Sequence, residues 1–252
     1  MSFNYINMRL KQTLIILFNL FLFFNCEDKV NYVSIDAIKN LEQPVSDSNN
    51  IFLDENNVTI KCHLAEVGDK AIINGINYTV VNESILREMV QKNEDVTNVC
   101  TSHVSDMSFL FNNKELFNQN IGSWDTSNVT NMDNLFSQAE SFNQNLQNWD
   151  TSKVQSMVEM FSNTPFNYDI SNWDTTNVLS MRGMFYSAYA FNQDIGSWDT
   201  SNVTDMSFMF TFTIFNQNLN SWCVTKIPNE PNNFSFLSSL TDENKPLWGS
   251  CP

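Results

Sequence analysis

The chain has 252 residues, of which 42% are hydrophobic, 13% are aromatic and 16% are charged, with a formal net charge of -15 at pH 7. Its length suits one or two ordinary domains or one capped repeat array, and its apolar content excludes a disordered chain. The excess of 28 acidic over 13 basic residues would repel a phosphate backbone, so the composition argues against nucleic-acid binding.

The N-terminus has the pattern of an export signal. Arg9 and Lys11 precede the apolar run 13–24, which is too short to span a bilayer and has the length of a signal-peptide core. Cys26 follows, as in bacterial lipoprotein signals, in which this cysteine is acylated and begins the mature chain; Asn25 departs from that pattern, which has a small residue there. We expect a signal peptide over 1–26 with lipidation at Cys26. The alternative is a plain secretory signal.

The next two segments predict a tether and a small cap. Residues 27–50 are polar with one proline and are interpreted as a flexible tether. Residues 51–98 contain strand-like runs, an Asn-Gly hairpin turn at 74–75 and a helical segment that begins at Asn82 or Ser84. The sequence therefore predicts a mixed α+β N-terminal cap.

Residues 99–222 contain a repeat of about 25 residues, which is a period typical of solenoids. Each of the first four repeat tryptophans is followed by Val after five residues, by Met after eight and by Phe after twelve. The three-then-four spacing of these residues predicts a short helix, and the residues before each tryptophan predict a short strand or rung. The sequence predicts an α/β repeat solenoid of leucine-rich-repeat type, with one strand and one helix per unit. The tryptophans are Trp124, Trp149, Trp173, Trp198 and Trp222.

The cysteines mark the two ends of this array. Five cysteines in an exported chain leave one unpaired, and acylation of the N-terminal one leaves four that can form two disulfides in three alternative pairings. In the repeat register, Cys100 and Cys223 stand at the aspartate position of the first and last units. We therefore predict that Cys62 bonds to Cys100 and that Cys223 bonds to Cys251, with 223–252 as a C-terminal disulfide cap.

Two polar positions recur with the repeat: an aspartate after each of the first four tryptophans and an asparagine after each closing phenylalanine. One carboxylate per unit is a poor calcium site, so we expect the aspartates to accept hydrogen bonds in turns. The asparagines are predicted to bond the backbone of the neighbouring unit. These residues are Asp125, Asp150, Asp174 and Asp199, and Asn118, Asn143, Asn167, Asn192 and Asn216.

The sequence lacks motifs of catalysis and of metal or cofactor binding. His63 and His103 are the only histidines, and the sequence has no Gly-rich phosphate loop, nucleophile elbow or zinc motif. We predict no enzyme activity, no cofactor and no metal site. Exposed tryptophans could stack on sugars, but the phase that they share with Val, Met and Phe favours a place in the core.

The repeat residues resemble those of the BspA-like leucine-rich-repeat surface proteins, a bacterial family that includes lipoproteins. The resemblance rests on FNQNIGSW at 117–124 and WDTSNVTNMDNLF at 124–136, and it covers residues 51–252. The closing stretch 222–252 is similar to the terminal cap of flavobacterial-type members. The resemblance implies export or surface anchoring and, for some members, adhesion to host or matrix proteins or to other cells. It carries over no catalytic residues.

Export, repetition and the lack of catalytic motifs favour a monomeric adhesion module that binds an extracellular protein or glycan. We expect an outer-membrane or cell-surface lipoprotein, held to the membrane only through its N-terminal lipid. The alternatives are a structural spacer of the cell envelope without a discrete ligand and, third, a calcium-dependent adhesin. The loops between the two phenylalanines of each unit differ most, so Tyr186, Tyr189 and Phe212 in those loops are the predicted binding residues.

Overall fold

The computed structural model describes residues 50–252. The predicted signal peptide, Cys26 and residues 27–49 of the predicted tether lie outside the described residues. Within the described range, all strands and the one α-helix lie between Phe52 and His103, and a short 3-10 turn at Asp242–Asn244 is the remaining helical element. No helix among these residues has the length and apolar character needed to cross a membrane.

The N-terminal region is built from two small sheets. Strands β1 (Phe52–Leu53) and β2 (Ile60–Lys61) pair antiparallel. Strands β3 (Lys70–Ile73), β4 (Ile76–Asn82) and β5 (Val99–His103) form a second sheet in the order β3-β4-β5. The β3–β4 hairpin turns at the predicted Asn-Gly pair, where both residues have the positive φ, 51° and 82°, that a type I′ turn requires.

Helix α1 (Glu83–Gln91) connects β4 to the parallel strand β5. It begins where it does because Asn82 accepts a hydrogen bond at its Oδ1 from the backbone N–H of Ile85, 3.0 Å away, which confirms one of the two predicted N-caps. Leu86 and Val90 on its inner side are buried in the main core. The domain boundaries predicted from the sequence stay a prediction.

The predicted solenoid of alternating strands and helices is wrong. From residue 104 to 252 the described chain consists of turns, isolated parallel bridges and one 3-10 turn, and none of its repeat units contains a strand or an α-helix. Neighbouring units lie side by side and are joined at one position by single-residue bridges. These bridges link, in succession, Asp106, Asn131, Ser156, Ser180 and Asp205.

Left-handed residues prevent the predicted helices from forming. Asn134 and Gln138 have φ of 55° and 61°, within and just after a predicted helix, and a right-handed helix cannot continue through such residues. The N–H groups of Asn134 and Phe136 donate instead to Val158 O (2.7 Å) and Met160 O (3.0 Å) of the next unit. The three-then-four spacing thus reflects consecutive turns that all point their apolar residues inward.

The apolar repeat positions do face the core, as the spacing predicts. The repeated Val, Met and Phe side chains are 0% exposed and the repeat tryptophans at most 3%, within one cluster that extends from Val81 to Leu240. Phenylalanine rings stack from unit to unit, with centroids 5.6 Å apart between Phe136 and Phe161. Each of the five repeat tryptophans donates its indole N–H to a carbonyl about 28 residues earlier in the chain, as Trp173 Nε1 does to Leu146 O at 3.1 Å.

The two predicted disulfides are present. Cys62 bonds to Cys100 within a smaller apolar cluster beside β1 and β2, and both cysteines are fully buried. Cys223 bonds to Cys251 and ties the C-terminal tail to the last tryptophan-containing unit. These pairs match those that the repeat register selects from the three alternatives.

Candidate interaction surface

The aspartate position forms turns, as predicted. Asp125 Oδ1 accepts the N–H of Ser127 at 3.1 Å, and Asp199 Oδ1 accepts that of Ser201 at 2.9 Å. Hydrogen bonds from the Ser201 side chain and backbone lower the pKa of Asp199 below its usual value. Among residues 50–252, no group of three or more His, Cys, Asp or Glu side chains is placed to hold a metal ion.

The asparagine position bonds successive units, which confirms the prediction for it. Asn118 Oδ1 accepts the backbone N–H of Asn143 at 3.0 Å, and the same bond recurs from unit to unit with distances between 2.9 and 3.1 Å. Gln144 adds a second bond to Asn118 Oδ1 at 2.8 Å. These polar side chains therefore support the array and are committed to its own backbone.

Two of the three predicted binding residues lie together on an exposed edge. The rings of Tyr186 and Phe212 meet edge to face, with centroids 5.7 Å apart, and Phe212 meets Phe236 in the same way at 5.9 Å. Phe212 is 42% exposed and Phe236 52%. We call Tyr186, Phe212 and Phe236 the aromatic row. Tyr189 is 57% exposed but makes no ring contact with the row in the described chain.

A groove of about 270 Å³ borders Tyr186, and no residue pattern of the sequence predicts it. Its lining includes Glu159, Arg182 and Phe208. The Arg182 guanidinium carbon lies 5.8 Å from the centre of the Phe208 ring, within the range of a cation–π contact. This surface therefore offers both aromatic faces and a cation to a partner.

Two of these aromatic residues occupy an unusual backbone conformation. Phe208 and Phe212 have φ of 63° and 60°, in the left-handed region that bulky side chains rarely adopt. Other units place Asn134, Glu159 and Gly183 at the position of Phe208. The first unit also has a phenylalanine there, Phe109, with φ of 57°. The change from a polar residue or glycine in the three units before Phe208 to an aromatic residue is a signal that could have identified it from the sequence.

One family matches the chain twice. It is described as "Mycoplasma protein of unknown function, DUF285", and the matches cover residues 82–165 and 162–246, together more than half of the chain. The first match begins at the N-cap of α1, and the second extends past the 3-10 turn into the C-terminal tail. Neither a curated protein nor a solved structure matches the chain.

Proposed function

This chain belongs to the DUF285 family of Mycoplasma proteins of unknown function, and we propose that it is an exported, non-catalytic adhesion module. The proposed partner is an extracellular protein or glycan that binds the aromatic row. The observation that carries the proposal is the exposure of contacting aromatic rings along one edge of three neighbouring units. The resemblance to BspA-like surface proteins supports the same role.

Disulfide bonds support the export part of the proposal. Disulfides persist in oxidising compartments and are rare in the cytosol, and the described residues contain two of them. Their combination with the N-terminal signal pattern favours placement at the cell surface. We propose that acylated Cys26 anchors the chain there as a lipoprotein; the alternative is release as a secreted protein.

The chemistry of the aromatic row suits recognition better than catalysis. Aromatic and arginine side chains contribute a large share of binding energy at protein interfaces because they bury much area at low entropic cost. Phe208, Phe212 and Arg182 combine these residue types on one surface. With a net charge of -15, the chain as a whole would not attract an acidic partner, so contact area is expected to dominate binding.

Adhesion of cells that produce the full chain tests this proposal. Phe212→Asn and Phe236→Ser should each lower attachment to other cells or to matrix-coated and mucin-coated surfaces by about tenfold, the effect of roughly 1.4 kcal/mol of lost contact. Asparagine suits the positive φ of residue 212, so this change should leave the fold intact. Leu116→Ser is the matched control, since Leu116 is 89% exposed and lies outside the row.

Two other outcomes would redirect the proposal. Unchanged attachment by both row variants, together with a fragile cell envelope when the chain is deleted, would favour the structural spacer. Release of a Cys26→Ala variant into the medium is expected for a lipid anchor, whereas retention on the cell would contradict anchoring through this residue.

A further inference from the structure

The main-chain hydrogen bonds that join the Met-to-Phe segments of neighbouring repeat units run in one direction, while other bonds, such as Thr130 N–H to Ser105 O, run the opposite way. Phe161 N–H donates to Met184 O at 2.9 Å in the following unit, and Phe185 N–H donates to Met209 O at 3.1 Å in the unit after that. In this segment each unit directs N–H groups toward the C-terminal end of the stack and carbonyl groups toward the N-terminal end. The stack consequently has an acceptor end and a donor end.

The acceptor end is closed by the N-terminal region. Arg87 of helix α1 donates from Nη2 to Asp106 O at 3.1 Å and from Nη1 to Ser108 O at 2.8 Å, which are carbonyls of the first unit. Leu86 and Val90 on the same helix are buried in the main core and hold it in place. Two of the carbonyls at this end, those of Asp106 and Ser108, are therefore already paired within the chain.

At the opposite end, the last unit covers the donors of the unit before it. The bonds are Phe208 N–H to Asn232 O at 3.0 Å, Phe210 N–H to Phe234 O at 2.8 Å and Phe212 N–H to Phe236 O at 3.0 Å. The carbonyl-bearing residues alternate along a segment of consecutive turns, which Phe234 N–H to Pro231 O and Phe236 N–H to Asn233 O close. A segment of consecutive turns that presents alternate carbonyls on one side therefore fits such a row of donors.

The last unit presents the same row of donors to solvent. Asn233, Ser235 and Leu237 follow the three carbonyl-bearing residues, and within residues 50–252 the N–H groups of these three residues have no acceptor. Asn233 and Leu237 are exposed, and both have φ of 52°, which repeats the geometry of Phe208 and Phe212. We call these three N–H groups the donor edge.

The C-terminal tail covers the core at this end, but its hydrogen bonds go to residues other than the three of the donor edge. Trp248 packs edge to face on Phe234, with centroids 4.9 Å apart. The tail pairs with the preceding chain through Val224 N–H to Ser250 O at 2.8 Å and Gly249 N–H to Ile227 O at 2.9 Å. In the described chain, none of the tail's hydrogen bonds involves the donor edge.

We propose that the donor edge docks a segment of consecutive turns in a partner protein. Alternate carbonyls of that segment accept the three N–H groups, and its apolar side chains lie on Phe236 and Leu237, which are 52% and 68% exposed. A row of unpaired backbone groups is a template for a further segment, and this mode of peptide recognition takes its affinity from main-chain bonds. The inference deepens the proposed function, on which it rests, by naming the class of partner and its place.

A second copy of this chain is a poor occupant. Head-to-tail stacking would need the carbonyls of Asp106 and Ser108, which Arg87 already pairs. Stacking of two donor edges against each other would place N–H groups opposite N–H groups without acceptors. The direction of the hydrogen bonds therefore favours a different chain that brings free carbonyls.

Hydrogen exchange of the full chain with a defined peptide tests the proposal. The probe is a synthetic peptide with the sequence of residues 228–240, the segment that covers the equivalent donors one unit earlier. In the free chain, the amides of Asn233, Ser235 and Leu237 should exchange fast and those of Phe208, Phe210 and Phe212 slowly. The peptide should bind and slow the exchange at the first three.

Two variants and a control locate the peptide. Leu237→Lys replaces an apolar contact of the edge with a charge, and Ser235→Pro removes the central N–H donor. Each should weaken peptide binding by about tenfold. Leu116→Lys, at an exposed position outside the donor edge, should bind as the unaltered chain does. Should Ser235→Pro fail to fold, Leu237→Lys decides alone.

Several results would overturn the inference. These are slow exchange of the donor-edge amides in the free chain, no binding at millimolar peptide, and binding that neither variant weakens. Self-association that Leu237→Lys abolishes would instead identify an interface between copies. Loss of cell attachment in Phe212→Asn without peptide binding would leave the proposed function standing and remove only the docking edge.

Discussion

The N-terminal region and the repeat stack satisfy their backbones in different ways. Between Phe52 and His103, N–H groups pair within a helix or between strands that form regular ladders. In the stack, alternate N–H groups pair with the next unit, and those between them close turns, as Leu135 N–H does with Met132 O at 3.3 Å. A repeat unit therefore holds only part of its own hydrogen bonds and obtains the rest from its neighbours.

This difference predicts that destabilising substitutions affect the stability of the two regions differently. A unit without a helix or a strand ladder has little structure of its own, so its stability depends on both neighbours, as in other stacked repeats. The N-terminal region has in addition its own small core and disulfide. We expect a defect in the middle of the stack to spread through the stack and one in the small core to remain more local.

The largest loss of stability is expected from Trp173→Ala in the middle of the stack. The change removes an indole that is 3% exposed and one of the two donors to Leu146 O, which keeps the backbone N–H of Trp149. Cavity formation should lower the free energy of unfolding by about 3 to 5 kcal/mol. Denaturant unfolding of the purified chain, followed by tryptophan fluorescence and by circular dichroism, measures this loss.

Leu179→Ala serves as the control for that change, because Leu179 is 48% exposed in a neighbouring part of the repeat. It should leave the unfolding midpoint nearly unchanged. A Trp173→Ala chain as stable as the unaltered one would contradict the dependence of each unit on its neighbours.

The next effect concerns the two disulfides, which close loops of 38 and 28 residues at opposite ends. The loop entropy of each corresponds to about 3 to 4 kcal/mol. Cys223→Ala with Cys251→Ala should destabilise the stack from its C-terminal end, whereas Cys62→Ala with Cys100→Ala should mainly affect the smaller cluster. Hydrogen exchange resolved along the chain distinguishes the two patterns, and identical patterns would contradict regional independence.

Much of the packing could be predicted from the sequence, while the backbone could not. The spacing of Trp, Val, Met and Phe correctly predicted which side chains are buried, because stacked units must share one apolar interior whatever their backbone does. It failed for the secondary structure, since a helix and consecutive turns both produce a three-then-four spacing. Only the φ values at positions such as Asn134 and Gln138 separate these two arrangements.

The candidate surface was predicted in part for a related reason. Loop variation identified Tyr186 and Phe212, but Phe236 lies in the last unit, beyond the tryptophan register, and completes the row only in three dimensions. The donor edge consists of backbone N–H groups, and the residue types do not show which of these groups are unpaired. The sequence correctly predicted both disulfides because the cysteines stand at positions fixed by the repeat.

A smaller loss of stability is expected from a change at Arg87, where the N-terminal region meets the repeat stack. Arg87→Met keeps most of the apolar stem of Arg87 but removes the donors to Asp106 O and Ser108 O, together with a partly exposed ion pair to Glu83 that the control below matches. Loss of these two bonds should lower the free energy of unfolding by about 1 to 2 kcal/mol at this partly exposed site. Thermal unfolding measures the change. Lys92→Met on the same helix is the control and should unfold like the unaltered chain, because Lys92 pairs only with the exposed Glu88; equal losses would contradict a closing role for Arg87.

The smallest effect is a pH dependence that both regions should share. Bonds from Ser201 lower the pKa of Asp199 in the stack, and bonds from Thr97 lower that of Asp95 in the N-terminal region. A carboxyl with a lowered folded pKa stabilises the fold above its unfolded pKa of about 3.9, and this contribution is lost as the pH falls through the folded value. Asp199→Asn and Asp95→Asn should therefore each unfold slightly earlier in urea at about pH 6 and like the unaltered chain at about pH 2. If a variant is less stable than the unaltered chain by the same amount at both pH values, the carboxylate charge contributes nothing at that turn.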